Sequence, residues 1–116
     1  MKNQVLTFAA LQAVAALNPD GFTIDKNTLQ PITSGFSVAV AQTQNSFNEA
    51  GAKRVVKYAK AHKEINAVGG WYNTDNNKYY YDAVIVCNTL EEAVNLGRAN
   101  NQLAIFNINT LEEVRV

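Results

Sequence analysis

The chain has 116 residues with ten basic and ten acidic side chains, so it is expected to form one globular domain, residues 1–116, without a global field that would draw it to nucleic acid. Its single cysteine excludes an internal disulfide and a cysteine-based zinc site. No apolar stretch approaches the roughly 20 residues that span a bilayer, which predicts a soluble protein without membrane contacts.

The apolar run over residues 5–17 predicts a short helix that packs on the domain. Its larger side chains recur close to helical spacing, and Asn18-Pro19-Asp20-Gly21 makes a sharp stop after it. The alternative is a secretory signal, because Lys2 precedes the run and Ala13-Val14-Ala15 resembles a signal-peptidase site. The single charge of the leader and the interruption at Gln12 favour the helix.

Two strands and a helix are expected next. Residues 22–25 and residues 35–41 have extended patterns. In the second, the large apolar side chains fall on one face and the small side chains on the other. Ser46-Phe47-Asn48-Glu49 then has the pattern of a capping box, in which the serine hydroxyl and the glutamate carboxylate each satisfy a free amide of the first helical turn. A helix is therefore expected to begin here and to run to about Asn66.

This expected helix has an apolar face and a basic face. The apolar positions, which recur at three and four residues and are expected to face the sheet, are Ala52, Val55, Ala59 and His62. The basic residues are Lys53, Arg54, Lys57, Lys60 and Lys63. Such a face could neutralise phosphates, although a solvated helix face commonly has the same composition.

Residues 69–82 place five of the eleven aromatic residues in one expected hairpin, whose turn is rich in Asp and Asn. Strand alternation puts Tyr79 and Tyr81 on one face and Tyr80 on the other, so some of these rings must be core. One hypothesis is a shared core formed by Trp71, one face of the tyrosine strand, Val55 and Phe106. The alternative is a binding platform, because exposed aromatic residues on a sheet can stack nucleobases.

The C-terminal part contains a second capping box, Thr89-Leu90-Glu91-Glu92, which follows a strand over residues 78–87 and predicts a helix toward Asn100. The remaining expected elements are a strand over residues 103–108, a turn at Asn109-Thr110 and a last strand over residues 113–116. The Thr-Leu-Glu-Glu tetrad recurs at residues 110–113, but too few residues follow for a helix. The repeat is therefore local and does not mark a duplicated domain.

The middle of the chain is expected to follow the order strand, helix, strand, strand, helix, strand. This order predicts an α+β fold with a ferredoxin-like βαββαβ core, an antiparallel-rich sheet that carries its helices on one face. The N-terminal helix and the C-terminal strand are expected to be additions to that core.

Titratable groups that could converge in an active site are few. His62 is the only histidine, and its helical spacing fits a residue at the edge of the core better than a general base. Asp82 lies inside an expected strand, where a charge is costly unless it is paired or faces solvent. Cys87 ends an apolar run and is expected to be buried. No catalytic residue, metal ligand or cofactor is therefore assigned.

Several segments carry a resemblance that covers most of the chain. They are Asn18-Pro19-Asp20-Gly21-Phe22-Thr23, Gly35-Phe36-Ser37-Val38-Ala39 with Thr43-Gln44-Asn45-Ser46, Val68-Gly69-Gly70-Trp71 with Tyr80-Tyr81-Asp82, and Leu90-Glu91-Glu92-Ala93 with Asn101-Gln102-Leu103-Ala104-Ile105-Phe106. In these segments the chain resembles a family of small uncharacterised domains of gut Bacteroidetes and of phage and plasmid genes, some attached to polyvalent mobile-element proteins. The resemblance implies a cytoplasmic accessory protein of a mobile element or phage, with DNA transactions or host-defence evasion as settings.

The sequence therefore predicts a non-enzymatic accessory or protein-interaction domain, with nucleic-acid binding as the alternative and a small-molecule enzyme third. The residues expected to contact a partner or nucleic acid are Lys53, Arg54, Lys57, Lys60, Trp71, Tyr72 and Tyr80. Exposure of the aromatic residues beside the basic helix would favour nucleic acid, and a polar pocket around His62 and Asp82 would favour an enzyme. Self-association of the chain stays open.

Overall fold

The computed structural model describes residues 5–116. Over this range the chain forms three α-helices and an antiparallel sheet of seven strands, which confirms the mixed α and β class. The helices are α1 (Phe8–Leu17), α2 (Asn48–Ala61) and α3 (Leu90–Ala99). The strands are β1 (Gly21–Asp25), β2 (Phe36–Ala39), β3 (Ser46–Phe47), β4 (Ala67–Asn73), β5 (Lys78–Cys87), β6 (Ala104–Asn107) and β7 (Glu112–Arg115).

The strands lie in the order β1-β4-β5-β2-β6-β7, and the two-residue β3 also pairs with β5. Every pairing is antiparallel. The long hairpin of β4 and β5 runs from Ala67 opposite Val84 to Asn73 opposite Lys78, next to the turn. Most predicted strands form with nearly the bounds expected from the sequence, and this hairpin is the longest pairing in the sheet.

All three helices pack on the same face of the sheet. Two buried clusters lie beneath them, the first including Leu11, Val55, Ala59, Val68, Tyr81 and Ala83, and the second Val38, Cys87, Ala93 and Ile105. Strand alternation gives the opposite face the β5 residues Lys78, Tyr80, Asp82, Val84 and Val86. Within residues 5–116 no helix packs on this second face, which we call the helix-free face.

The N-terminal helix forms as predicted. The Thr7 hydroxyl caps α1 by accepting a hydrogen bond from the Ala10 amide at 3.0 Å. Leu11 and Ala15 are buried against the rest of the core. At the other end, the Tyr79 hydroxyl donates to the Asn18 carbonyl at 2.7 Å and ties the helix to the sheet. Lys2, the charged residue of the alternative secretory signal, lies outside the described residues.

The capping box predicted at Ser46 is wrong. Ser46 lies in β3, opposite Tyr81, and α2 begins only at Asn48. Its hydroxyl is buried and has no hydrogen-bond partner among residues 5–116. The reason is that the chain pairs with β5 before it enters the helix, so Ser46 directs its side chain into the core instead of toward the first helical turn. Gly51 permits this close approach, because a Cβ there would overlap the Ser46 backbone.

The helix α2 also ends earlier than predicted, at Ala61 and not near Asn66. Lys26 donates to the carbonyls of Ala59 and His62 at 2.7 and 3.0 Å, which satisfies acceptors that the last turn leaves open. Ala59 faces the sheet as expected. His62 does not, because its half-exposed ring stacks on Tyr58 at a centroid distance of 3.9 Å.

Thr89 caps α3 as predicted, but only the hydroxyl half of the capping box forms. The Thr89 hydroxyl oxygen accepts from the Glu92 amide at 3.2 Å. The same hydroxyl donates to the Glu92 carboxylate at 2.9 Å. The second Thr-Leu-Glu-Glu tetrad spans the turn after β6 and the first two residues of β7, and no helix forms there, in agreement with the prediction.

Candidate functional site

Three aromatic side chains form a row across three strands of the helix-free face. Trp71 lies opposite Tyr80, and Tyr80 also lies opposite Phe47. Such cross-strand neighbours have adjacent Cβ atoms, which brings their rings into contact. The centroids of Trp71 and Tyr80 are 4.9 Å apart with an interplanar angle of 19°, and those of Tyr80 and Phe47 are 5.5 Å apart. We call Trp71, Tyr80 and Phe47 the aromatic row.

A lysine contacts one end of this row, and an asparagine contacts its central ring. Lys78, two residues before Tyr80 and on the same face, places its Nζ atom 4.1 Å from the centroid of the Phe47 ring. This is the geometry of a cation–π contact. Asn76 in the hairpin turn donates to the Tyr80 hydroxyl at 2.7 Å. Stacking and these contacts order the rings within the free protein.

The row is nevertheless open to solvent at Trp71. This side chain is 43% exposed, an unusual position for the largest apolar side chain. Exposed aromatic surface that is already ordered lowers the entropic cost of binding a partner. The row therefore has the physical properties of a contact surface.

Asp82 lies immediately inward of the row. It follows Tyr80 by two residues on the same face, and its cross-strand neighbour is Gly69, which has no side chain. Burial raises the pKa of the Asp82 carboxyl from 3.8 to about 6, and the polar group of the nearby Trp71 side chain opposes this shift. Within residues 5–116 no lysine or arginine lies within ion-pair distance of this carboxylate. At neutral pH the face thus carries a largely desolvated negative charge beside the row.

The other tyrosines of the hairpin lie on the helix-covered face. Tyr81 is buried in the main cluster. Burial, helped by the nearby Tyr81 and Asp20, raises the pKa of the Tyr79 hydroxyl to about 12. Tyr72 is 41% exposed, and its hydroxyl donates to Asn77 within the turn at 3.0 Å. The hairpin therefore divides its aromatic residues between core and surface, as strand alternation predicted.

The hypothesis of a core shared by Trp71 and Val55 is wrong. Val55 belongs to the cluster under α1 and α2, whereas Trp71 lies on the opposite face. The pairing register is the reason. Gly70, and not Trp71, stands opposite Tyr81, so the ring of Trp71 leaves the sheet on the side of Tyr80.

The basic residues of α2 lie away from the aromatic row. Lys53, Arg54, Lys57 and Lys60 are exposed on the helix layer. Lys53 pairs with Glu49 at 3.1 Å, and Arg54 donates to the Gln42 carbonyl at 2.8 Å. The sheet thus separates the predicted contact residues. Trp71 and Tyr80 are together on one face, the four basic residues are on the other layer, and Tyr72 belongs to the helix-covered side of the hairpin.

His62 and Asp82 do not share a pocket. His62 lies at the end of α2 on the helix layer, with its Nδ1 atom 3.7 Å from Glu64 Oε2. Asp82 is on the helix-free face. Within the described part of the chain, no group of three histidine, cysteine, aspartate or glutamate side chains is placed to hold a metal ion. None of the helices over residues 5–116 has the length and apolar character needed to cross a membrane.

Sequence reasoning missed two members of this surface, Phe47 and Lys78. Phe47 was assigned to a capping box, which hid the two-residue strand that pairs it with Tyr80. Lys78 begins the tyrosine strand, and its alternation with Tyr80 was the signal that could have placed it on the same face.

Comparisons with protein-family models, curated proteins and solved structures find no match to this chain. The resemblance to mobile-element domains therefore stays a prediction, and the geometry of the helix-free face is the basis for assigning a function.

Proposed function

We propose that this chain is a non-enzymatic interaction domain that binds a polypeptide on its helix-free face, at the aromatic row. The observation that carries the proposal is Trp71, 43% exposed and stacked on Tyr80 at 4.9 Å. Tryptophan and tyrosine supply much of the binding energy of protein interfaces. An exposed and ordered pair of this kind is therefore the expected centre of a contact.

Asp82 defines the chemistry of the partner. Its carboxylate is desolvated beside the row, so a lysine or arginine of a bound peptide would supply the missing counter-charge. A proline or an aromatic ring of the same peptide would stack on Trp71. We therefore infer a partner segment that combines a basic side chain with a ring.

Nucleic acid is the alternative, and the exposed basic face of α2 is the observation that favours it. Two features weigh against it. Lys53 and Arg54 are engaged by Glu49 and by the Gln42 carbonyl. The aromatic row that would stack bases lies across the sheet beside the Asp82 carboxylate, which repels phosphate.

We also propose that β2, β4, β5 and β6, with α2 and α3, form a ferredoxin-like core. The strand order supports this, because β5 lies between β2 and β4, and β2 lies between β5 and β6, as expected for two interleaved βαβ units. The proposed setting, a cytoplasmic accessory protein of a mobile element or phage, rests on the sequence resemblance.

Selection of random peptides on the full chain tests the proposal. The selected peptides are then measured against wild type, Trp71→Ala, and a control in which Lys53, Lys57 and Lys60 are all changed to Gln. Trp71 is the only tryptophan, so its fluorescence reports occupancy of the row in wild type and in the triple variant, and a label on the peptide measures binding to Trp71→Ala, which lacks this fluorophore. The expected peptides combine a basic residue with proline or an aromatic residue, lose about tenfold or more in affinity on Trp71→Ala, and bind the triple variant normally.

Two results would contradict this function. Peptides that bind Trp71→Ala as tightly as wild type would place the contact elsewhere. Labelled single-stranded or double-stranded DNA or RNA that binds in a salt-dependent way, and loses affinity in the triple variant, would establish the nucleic-acid alternative.

A further inference from the structure

The strand β7 leaves one edge of the sheet open. It pairs with β6 on its inner side, and within residues 5–116 no strand pairs with its outer side. The opposite edge is different, because Pro31 bridges to Ile24 and the Ile32 amide donates to the Thr23 carbonyl at 2.9 Å, alongside β1. An open edge presents unpaired backbone groups that another strand can bind.

The register identifies which backbone groups point outward. The Val116 amide donates to the Leu103 carbonyl at 3.2 Å, and Val114 lies opposite Ile105. Hydrogen-bonded and non-hydrogen-bonded pairs alternate along an antiparallel ladder. Val114 therefore directs its backbone groups toward β6, whereas Glu113 and Arg115 direct theirs away from the sheet.

We propose that two copies of this chain pair antiparallel through β7, with Glu113 of each copy opposite Arg115 of the other. Only registers that join outward-facing residues form backbone hydrogen bonds. Pairing Glu113 with itself, or Arg115 with itself, sets like charges face to face. The register that joins Glu113 to Arg115 produces two opposite-charge pairs and lets both pairs exchange backbone hydrogen bonds.

The order of the charges distinguishes this edge from a protective one. An edge strand whose charges all have one sign discourages pairing, because like charges then meet in every register. Here the sequence Glu113-Val114-Arg115 is complementary to itself when it is reversed. Both charged side chains are exposed and form no ion pair within the described residues. Val114, partly buried under α3, would meet its own copy at the non-hydrogen-bonded pair, where side chains approach closely.

This pairing is independent of the aromatic row. Three strands, β5, β2 and β6, separate β7 from Trp71 in β4. A dimer formed through β7 therefore leaves both rows accessible, and the failure of one proposal does not decide the other.

Sedimentation equilibrium of the full chain tests the pairing, over loading concentrations that extend to about 1 mM because a short edge contact makes a small and weak interface. Wild type is expected to approach twice the monomer mass. Glu113→Arg and Arg115→Glu should each lower the association constant by about tenfold or more, because like charges then meet twice. The double variant Glu113→Arg/Arg115→Glu restores both opposite-charge pairs and should restore association.

Arg115→Pro provides a second test that spares the fold. Proline at this position lacks the outward-facing amide, whereas the hydrogen bonds to β6 stay intact. The variant should therefore remain folded, as judged by circular dichroism, and should no longer dimerise. A wild-type chain that stays monomeric over the whole range would overturn the proposal. So would single variants that dimerise normally, a double variant that stays monomeric while folded, or loss of the dimer in Trp71→Ala.

Discussion

The fold changes the acidity of Asp82 strongly. Burial on the helix-free face raises the pKa of its carboxyl from 3.8 to about 6. The folded state therefore holds the proton more tightly than the unfolded state, and the protonated form stabilises the fold below about pH 4. This contribution is lost as the pH rises through about 6.

Asp82→Asn removes this ionisation, and the free energies of unfolding of the two proteins should diverge with pH. Above pH 7 we expect the Asn variant to be more stable by up to about 3 kcal/mol, the value of a shift of this size. Near pH 4 the two should be similar. Urea denaturation at four pH values between 4 and 7.5 measures the difference, and a difference that does not vary with pH would contradict the burial of the charge.

Gly69 and Gly70 are neighbours that meet opposite faces of the sheet. A Cβ on Gly70 would lie 2.8 Å from Tyr79 Cε1 and would overlap the Phe22 ring, whereas a Cβ on Gly69 would meet its nearest neighbours at 3.4 and 3.5 Å. Gly70→Ala should therefore cost about 1 to 3 kcal/mol of stability. Gly69→Ala should stay within about 0.5 kcal/mol of wild type. Thermal denaturation of both variants checks the face assignment, and equal losses would contradict it.

At the scale of elements, the hydroxyls of Thr89 and Ser46 share a sequence pattern but differ in their hydrogen bonding. Thr89 caps α3, so Thr89→Ala should cost about 1 kcal/mol. Ser46 buries a hydroxyl without a partner, so Ser46→Ala should leave stability unchanged or raise it. Chemical denaturation of the pair separates them, and a loss near 1 kcal/mol in Ser46→Ala would show that its hydroxyl is satisfied after all.

The β6–β7 turn contains a conformational strain that the β4–β5 turn avoids. In both turns an amide donates to a carbonyl four residues earlier at 2.8 Å, and the donor residue has a positive φ, 61° at Leu111 and 58° at Asn77. This left-handed conformation is energetically unfavourable for leucine and much less so for asparagine. Leu111→Asn is therefore expected to raise the free energy of unfolding by about 1 kcal/mol, which calorimetry measures. Leu111 is exposed, so the substitution removes no packing. A variant less stable than wild type would show that Leu111 is not strained.

Element types were predictable where a segment was long and strongly periodic. The apolar spacing of α2 and the alternation of β5 predicted which residues would be buried, since each pattern reflects its own geometry. The limits of α2 were not predictable. Its start depends on the pairing of Ser46 with β5, and its end on hydrogen bonds from Lys26, so both are set by residues distant in sequence.

At the scale of the whole molecule, the sheet separates the helix layer from the helix-free face. Local alternation predicted that the tyrosines would divide between two faces, but not on which side of the sheet α2 would pack. For that reason the sequence could group Trp71 and Tyr80 with the basic helix, and only the three-dimensional arrangement separates them. The aromatic row itself depends on β3, which is too short to leave a periodic signal.

The proposed function requires that Trp71 lie on the surface of the domain and not in its core. Equilibrium denaturation of Trp71→Ala tests it most directly, with Tyr81→Ala as the matched control from the helix-covered face. We predict a loss below about 1.5 kcal/mol for Trp71→Ala and of about 3 kcal/mol or more for Tyr81→Ala, because only the second empties a packed site. A loss of about 3 to 5 kcal/mol for Trp71→Ala, the value expected for a core tryptophan, would contradict the account.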